Sequence, residues 1–241
     1  MYDIINLLDQ YCAEHQIQSV FLVSPPSIYW DNYDASLEYI FEYNQYQSKE
    51  IYISHAAKLN QDLPFINFID KRKKRYIKSF CKNDEYKIFQ HDNFDDAFGK
   101  KFYKLLVLNK QKYSTKPTHS LDELQKLKTI FKDKIQLFIS KKNNVVVGGA
   151  VLFITNKNTG LVFYNTVQPE MRETQLATYQ LYFCAHYSEN LNLKYVDFGV
   201  SQQPESSNPL SPKKSLINFK EQFNAFDVWR RAYQKDFNES K

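Results

Sequence analysis

The sequence predicts a mixed α+β fold built on a mixed, mostly antiparallel sheet. Three strand-like runs between Lys134 and Val167 follow one another through short polar turns, as in an antiparallel meander. A long helical stretch and two further strand-like runs close the chain, mixing strand and helix in the order an α+β or α/β protein requires. With 241 residues, 43% of them hydrophobic and with 18 Tyr and 19 Phe, the chain can bury a substantial core.

In chain order, Ile4/Ile5, Leu8 and Tyr11/Cys12 recur at helical spacing within residues 1–17. The run from Ser19 to Val23 then reads as a buried strand, stopped by Pro25-Pro26. Leu37, Ile40 and Phe41 mark a short helix, Glu50 to Ser54 a second strand, and Asn67 to Lys82 a highly basic helix. A third strand covers Tyr86 to Phe89. Phe94, Phe98, Phe102 and Leu105 then step along one helical face. Ser120 and Glu123 form a capping box: each side chain bonds the other's backbone N–H ahead of the stripe Leu121, Leu124, Leu127 and Phe131. The meander follows as Lys134–Ser140, Asn144–Thr155 and Leu161–Val167. A long helix spans about Glu173–Glu189 and a buried strand Lys194–Gly199. A polar loop runs from Gln202 to Pro212, a short helix ends in Phe219–Phe223, and Phe226–Tyr233 closes as a strand. No flexible linker interrupts the chain. The segment Lys110–Pro117 is the best boundary, giving expected units 1–112 and 113–241.

Composition excludes several chemistries. The five glycines, Gly99, Gly148, Gly149, Gly160 and Gly199, lack the spacing of a dinucleotide fingerprint, a Walker loop or a hydrolase elbow. Asp197-Phe198-Gly199 matches a kinase tripeptide, but no glycine-rich or catalytic loop accompanies it. Three distant cysteines and five scattered histidines fit neither a disulfide framework nor a metal site, so no metal is expected. The N-terminus lacks a basic leader, and no apolar run approaches about 18 residues. The expectation is a soluble, cytoplasmic protein.

The second half resembles the GNAT acyltransferase core, and within it the Fem-type branch. The resemblance rests on Pro117–Leu124, the run from Ile135 through Phe153, the strand around Tyr164, Tyr195–Ser201 and Phe219–Phe226. These segments lie within roughly residues 103–233, about half of the chain. The first half looks like part of a second, N-terminally short GNAT-like lobe. The resemblance implies an N-acyltransferase moving an acetyl or aminoacyl group to an amine, in bacterial envelope or polysaccharide biosynthesis. Acetyl-CoA or another acyl-CoA would be the donor, with aminoacyl-tRNA as second choice. A non-catalytic module binding an anionic glycan or RNA is the alternative.

The same resemblance implies a donor site where two strands part beside a helix N-terminus, whose free N–H groups attract phosphate. The phosphate turn maps onto Arg172, Gln175 and Ala177, with Gln175 where the family has glycine. Arg172 then either pairs with phosphate or is simply solvated. Asp197 either takes the amine proton or caps the loop after its strand. Lys220, within Phe219–Phe223, either steadies an oxyanion or covers Phe223 with its stem. Tyr164 is a further candidate beside the parting strands, and Ser201 one for substrate contact. The cluster Lys71, Arg72, Lys74, Arg75 and Lys78, with Lys73 among them, attracts a polyanion or forms a solvated face.

Overall fold

A computed structural model describes residues 2–32, 35–60, 62–203, 206–208 and 210–237. Helix α1 (Tyr2–Glu14) precedes β1 (Ser19–Val23), α2 (Ser36–Tyr43) and β2 (Gln47–Lys58). Next come α3 (Lys71–Cys81), β3 (Tyr86–His91), α4 (Ala97–Gln111) and α5 (Leu121–Phe131). The meander is β4 (Ile135–Lys142), β5 (Val145–Ile154) and β6 (Thr159–Val167). Helix α6 (Leu176–Asn190), β7 (Tyr195–Val200), α7 (Lys214–Glu221) and β8 (Ala225–Asp236) complete the chain. Among the described residues the strands form one eight-stranded sheet, ordered β1-β8-β2-β7-β6-β5-β4-β3. Only β6 and β7 run parallel; the remaining neighbours are antiparallel. Strands from both sides of the expected 112/113 boundary interleave, since β2 lies between β7 and β8 while β3 pairs with β4.

Local signals set most of these elements. Asp70 caps α3 by accepting from the N–H groups of Arg72 and Lys73, and Asp96 caps α4 through Phe98 and Gly99. Both halves of the Ser120–Glu123 capping box are present, at 3.2 and 2.7 Å. The β4–β5 turn places Asn143 and Asn144 at φ 48° and 66°, the left-handed pair a tight hairpin needs and asparagine tolerates best. Alternation along β4 then divides the core. Phe138 faces α6, packing with Leu181, Cys184 and Ala185. Its neighbours Leu137 and Ile139 face α4 and α5, packing with Phe102, Leu105 and Leu124. Gly149 lets these layers close: a Cβ there would lie 2.5 Å from the Phe138 carbonyl oxygen and 2.8 Å from the Phe102 ring.

Several expectations change, among them β2, which runs Gln47–Lys58 where Glu50–Ser54 was expected. The run Ser19–Val23 is an edge strand, not a buried one: β1 pairs only with β8, and Phe21 and Val23 are half exposed. A pure apolar run marks a strand but not its place in the sheet. Helix α6 starts at Leu176, after a 3-10 segment Pro169–Thr174 and a left-handed Gln175, so Arg172 lies upstream of the helix. Helix α3 starts at Lys71, because Asp70 supplies its cap. Of the expected Gln202–Pro212 loop, Pro204, Glu205 and Pro209 lie outside the described residues.

Replacing Ser120 with alanine removes one side of the capping box ahead of α5. The expected cost is about 1 kcal/mol, read as a lower urea midpoint at unchanged slope.

Candidate active site

The cleft begins where β6 and β7 part. Their register pairs are Thr159–Tyr195, Gly160–Val196 and Leu161–Asp197, and beyond Leu161 the strand β6 has no β7 partner. Strand β7 stays paired with β2 to its end, with Val200 opposite Ser54. Gly199, at φ 77°, supplies the bend. Along the part of β6 without a β7 partner lies a cavity of about 900 Å³, walled by β6 from Phe163 to Val167, by α4 and by α7. Phe163, Leu216 and Phe219 give it apolar surface, while Lys110, Arg172, Lys213 and Glu173 give it charge. Neither Phe223 nor Gln175 blocks it: Phe223 is buried against Phe198 and Phe219.

The helix tip beside this cleft is built without the expected glycine. Gln175 adopts φ 65° itself, and its side-chain oxygen accepts from Lys73 Nζ (2.8 Å) and Thr178 Oγ1 (3.0 Å). The side chain therefore points toward α3, and Ala177 is in the first turn of α6 as the spacing requires. Arg172 donates to Asn109 Oδ1 at 3.0 Å, and Asn109 in turn donates to Thr166 Oγ1 and the Val167 carbonyl. That chain fixes the guanidinium at the cleft mouth. Asn165 is a second fixed group: its amide donates to the Ala177 carbonyl (3.2 Å), while its buried Oδ1 has no hydrogen-bond partner among the described residues. A buried acceptor without a partner is uncommon in a folded interior.

Asp197 and Lys220 occupy the root of the gap, and both are spent on the protein. Asp197 is fully buried. Its Oδ2 accepts from Tyr29 Oη (2.7 Å) and Arg230 (2.5 Å); its Oδ1 accepts from Ser54 Oγ (2.9 Å) and the Gly199 N–H (2.7 Å). Four donors leave this carboxylate no direction in which to take an amine proton, and the Gly199 bond braces the bend within its own strand. Burial, then the neighbouring Asp197, pushes the Tyr29 phenol far above its ordinary range. Lys220 Nζ donates to the carbonyls of Gly199 and Val200 (both 2.8 Å) and to Ser201 Oγ (2.9 Å). Its three donors match three acceptors, so it pins the β7 bend and does not project into the cavity. Burial lowers it to about 7. Ser201 is buried as well and reaches His55 Nδ1 at 2.9 Å. His55 Nε2 lies 3.0 Å from Asp227 Oδ1 but off the line of a hydrogen bond.

The ring of Tyr164 helps line the cavity, yet its hydroxyl accepts from the His119 N–H (3.1 Å) and so belongs to the loop before α5. On α3, Lys71, Arg72, Arg75 and Lys78 are exposed; Lys74 is half-buried and donates to the Asn67 carbonyl (2.6 Å). Lys73 is the exception in that cluster. It is buried with Ile77 and Phe80, bonds Gln175 and Thr178 at the α6 tip, and lies 4.4 Å from the Phe219 ring centroid. Burial, then Arg72, lowers it to about 8. It was not singled out from the sequence, although its spacing with Ile77 and Phe80, i, i+4 and i+7, is a signal that separates it from the exposed cations. Asn165, a polar residue within Leu161–Val167, was visible in the same way. Asn109, Glu173 and Lys213 carried no signal, since only folding brings them to β6.

The position of Lys220 has a pH signature. Its folded value near 7 lies below the ordinary 10.5, so between those limits the unfolded chain holds a proton that the folded chain has released. Stability therefore rises with pH through that window and levels off below it, where both states are protonated. Urea midpoints at about pH 6, 8 and 10 measure this rise, and Lys220→Met is expected to flatten it.

No family model and no curated protein matches the chain. Solved structures do. FemX is 11% identical with a TM-score of 0.70, over 95% of this chain and 75% of that one. The C-terminal domain of a putative lysylphosphatidylglycerol synthetase from Agrobacterium fabrum is 7% identical, with a TM-score of 0.66 over 98% and 73% of the two chains. A tandem GNAT protein from the clavulanic acid biosynthesis pathway is 11% identical, with a TM-score of 0.56 over 96% and 68%. Among the described residues no helix is long and apolar enough to cross a membrane. The chain has a GNAT-like fold of the Fem type.

Proposed function

We propose that this protein is an N-acyltransferase that passes an activated acyl group to an amine within the β6–β7 cleft. The observation that carries the reading is the parted pair itself: an unpaired β6 edge beside the α6 tip, over a cavity of about 900 Å³. The proposed donor is an acyl-CoA, with aminoacyl-tRNA second, and the proposed acceptor is a sugar or peptide amine of envelope or polysaccharide assembly. The residues fit a phosphate-bearing donor. Arg172, Lys110 and Lys213 line the cavity, and the nearby α6 tip adds its dipole. Phe163, Leu216 and Phe219 exclude water from the carbonyl.

Attack by the neutral amine forms a carbon–nitrogen bond and breaks the bond from the carbonyl carbon to the donor's sulfur or ribose oxygen. The proton lost by the nitrogen passes to the leaving group, which departs as the thiol or hydroxyl. Positioning supplies most of the acceleration, and the proposed intermediate acceptor of that proton is Glu173, a carboxylate lining the cavity. Asp197 and Lys220 enter as positioning residues that hold the bend at Gly199 and Ser201. A second reading, a module that binds an anionic glycan or RNA without transfer, draws on one observation: both of these groups are saturated by the protein. The exposed cations of α3, continuous with Lys73 at the α6 tip, suit a polyanion in either case.

Calorimetry with acetyl-CoA, free CoA and bulk tRNA separates these readings. Saturable binding of acetyl-CoA, weakened about tenfold by Arg172→Ala, is the expected result for the enzyme; one such charge-assisted contact is worth about 1.4 kcal/mol. Binding of tRNA alone, with a salt slope that falls when Lys71, Arg72 and Arg75 are neutralised, moves the donor to aminoacyl-tRNA. Polyanion binding without labelled acyl transfer to any amine in a panel, from either donor, supports the module. Failure of all three ligands to bind overturns the donor site.

A further inference from the structure

The edge of β8 is open where β1 leaves it. Strand β1 ends with Val23 opposite Ala232, and one more bond follows, from the Ser24 N–H to the Arg231 carbonyl at 2.8 Å. The chain then turns away at Pro25-Pro26. In an antiparallel ladder alternate residues direct both backbone groups to the same side. Because the Arg231 carbonyl faces this edge, the N–H and C=O of Trp229 and Asp227 face it too. No backbone bond reaches them from that side among the described residues. Along this edge runs a groove of about 310 Å³, lined by Pro25, Trp30, Glu38, Phe226, Asp227 and Trp229, among others.

We propose that this groove takes an extended peptide segment as an added strand on β8, with apolar and basic side chains alternating. The two faces of the edge differ in chemistry, and an added strand sends successive side chains to opposite faces. On one face Phe226 packs against Tyr195, Val228 packs with Ile28, and Trp30 adjoins Ile28 and Phe226; that side is mainly apolar, with the oppositely charged Asp31 and Lys194 beside it and Arg230 turned to Asp197. On the other lie Asp227, Trp229 and Arg231, with Glu38 from α2 placed 3.8 Å from Arg231. Glu38 thus answers Arg231, whereas Asp227 is 55% exposed and, among the described residues, is paired with His55 alone. Burial, then Lys220, holds that histidine below its ordinary range, so it does not neutralise the carboxylate. The surrounding sequence strengthens the field: between Met1 and Glu50, Lys49 is the sole lysine or arginine. The proposal depends on the β8 edge and is independent of the acyltransferase reading.

The chain has two tryptophans, Trp30 and Trp229, and both line the groove, so its tryptophan emission reads the site directly. The probe is the capped pentapeptide acetyl-Val-Lys-Val-Lys-Val-amide, compared with its Glu counterpart and with a form N-methylated at the ladder-facing amides. A saturable emission change with the Lys peptide is expected. Binding should be at least about tenfold weaker for the Glu and N-methylated forms, which lose charge pairing and ladder bonds respectively. Asp227→Asn is expected to weaken the Lys peptide about fivefold and leave acetyl-Val-Ser-Val-Ser-Val-amide unchanged. Trp229→Pro removes one outward N–H, a change that edge strands tolerate, and should weaken the Lys peptide about tenfold with Trp30 as reporter. Should that variant fail to fold, the N-methylated peptide tests the same bond from the ligand side. No emission change up to millimolar peptide, or equal binding of the N-methylated form, overturns the proposal. So does a concentration-dependent emission change without peptide alongside a dimer mass in sedimentation, which would assign the edge to a second copy.

Discussion

The buried carboxylate of Asp197 is the constraint around which the centre of the sheet is arranged. It draws donors from four places: Ser54 on β2, Arg230 on β8, Tyr29 from the turn after β1, and the Gly199 amide on its own strand. A carboxylate removed from water is tolerated only when its lone pairs are met, and removing one charged partner from such a pair typically costs about 3–5 kcal/mol. The cluster therefore ties β2, β7 and β8 together at one level of the sheet. That level is also where the β6–β7 pairing ends, since Leu161–Asp197 is its last register pair. Below it the sheet is continuous; above it the strands diverge.

Lys220 continues this control on the other side of the bend. Its ammonium gathers the carbonyls of Gly199 and Val200 and the hydroxyl of Ser201, groups that the departing strand would otherwise leave unpaired in the interior. Opening a sheet to make a cleft exposes backbone that must be satisfied elsewhere, and here one lysine from α7 does it. The cleft walls are set by similar ties: Asn109 joins α4 to β6 and holds Arg172, and Asn165 joins β6 to the first turn of α6. These ties hold Arg172 at the mouth of the cavity, beside Lys110 and Glu173.

The α6 tip shows how a motif can change composition and keep its geometry. A left-handed residue is needed before Leu176, and Gln175 provides it at φ 65° with its side chain drawn away toward Lys73. The strain of a non-glycine residue in that region, of order 1 kcal/mol, is offset by contacts that glycine could not make. Lys73 is thus part of the helix tip, although its neighbours Arg72 and Lys74 belong to the surface of α3.

Local chemistry was legible in the sequence alone. The capping box at Ser120, the asparagine turn after Lys142, the meander and the order of elements follow from short-range spacing, because caps and tight turns are decided within a few residues. Resemblance in the order of motifs carried the GNAT-like, Fem-type fold, and the residues quoted for it do meet in space: Gly199, Ser201 and Lys220 form one network. Their occupancy could not be read. Asp197 and Lys220 are residue types that catalyse when exposed and brace when enclosed, and only the donors and acceptors brought from β2, β8 and the turn at Tyr29 decide which. The same holds for β1, whose apolar run fixes a strand but not an edge. Periodicity along a chain reports what a segment can bury; the packing of segments distant in sequence determines what it does bury.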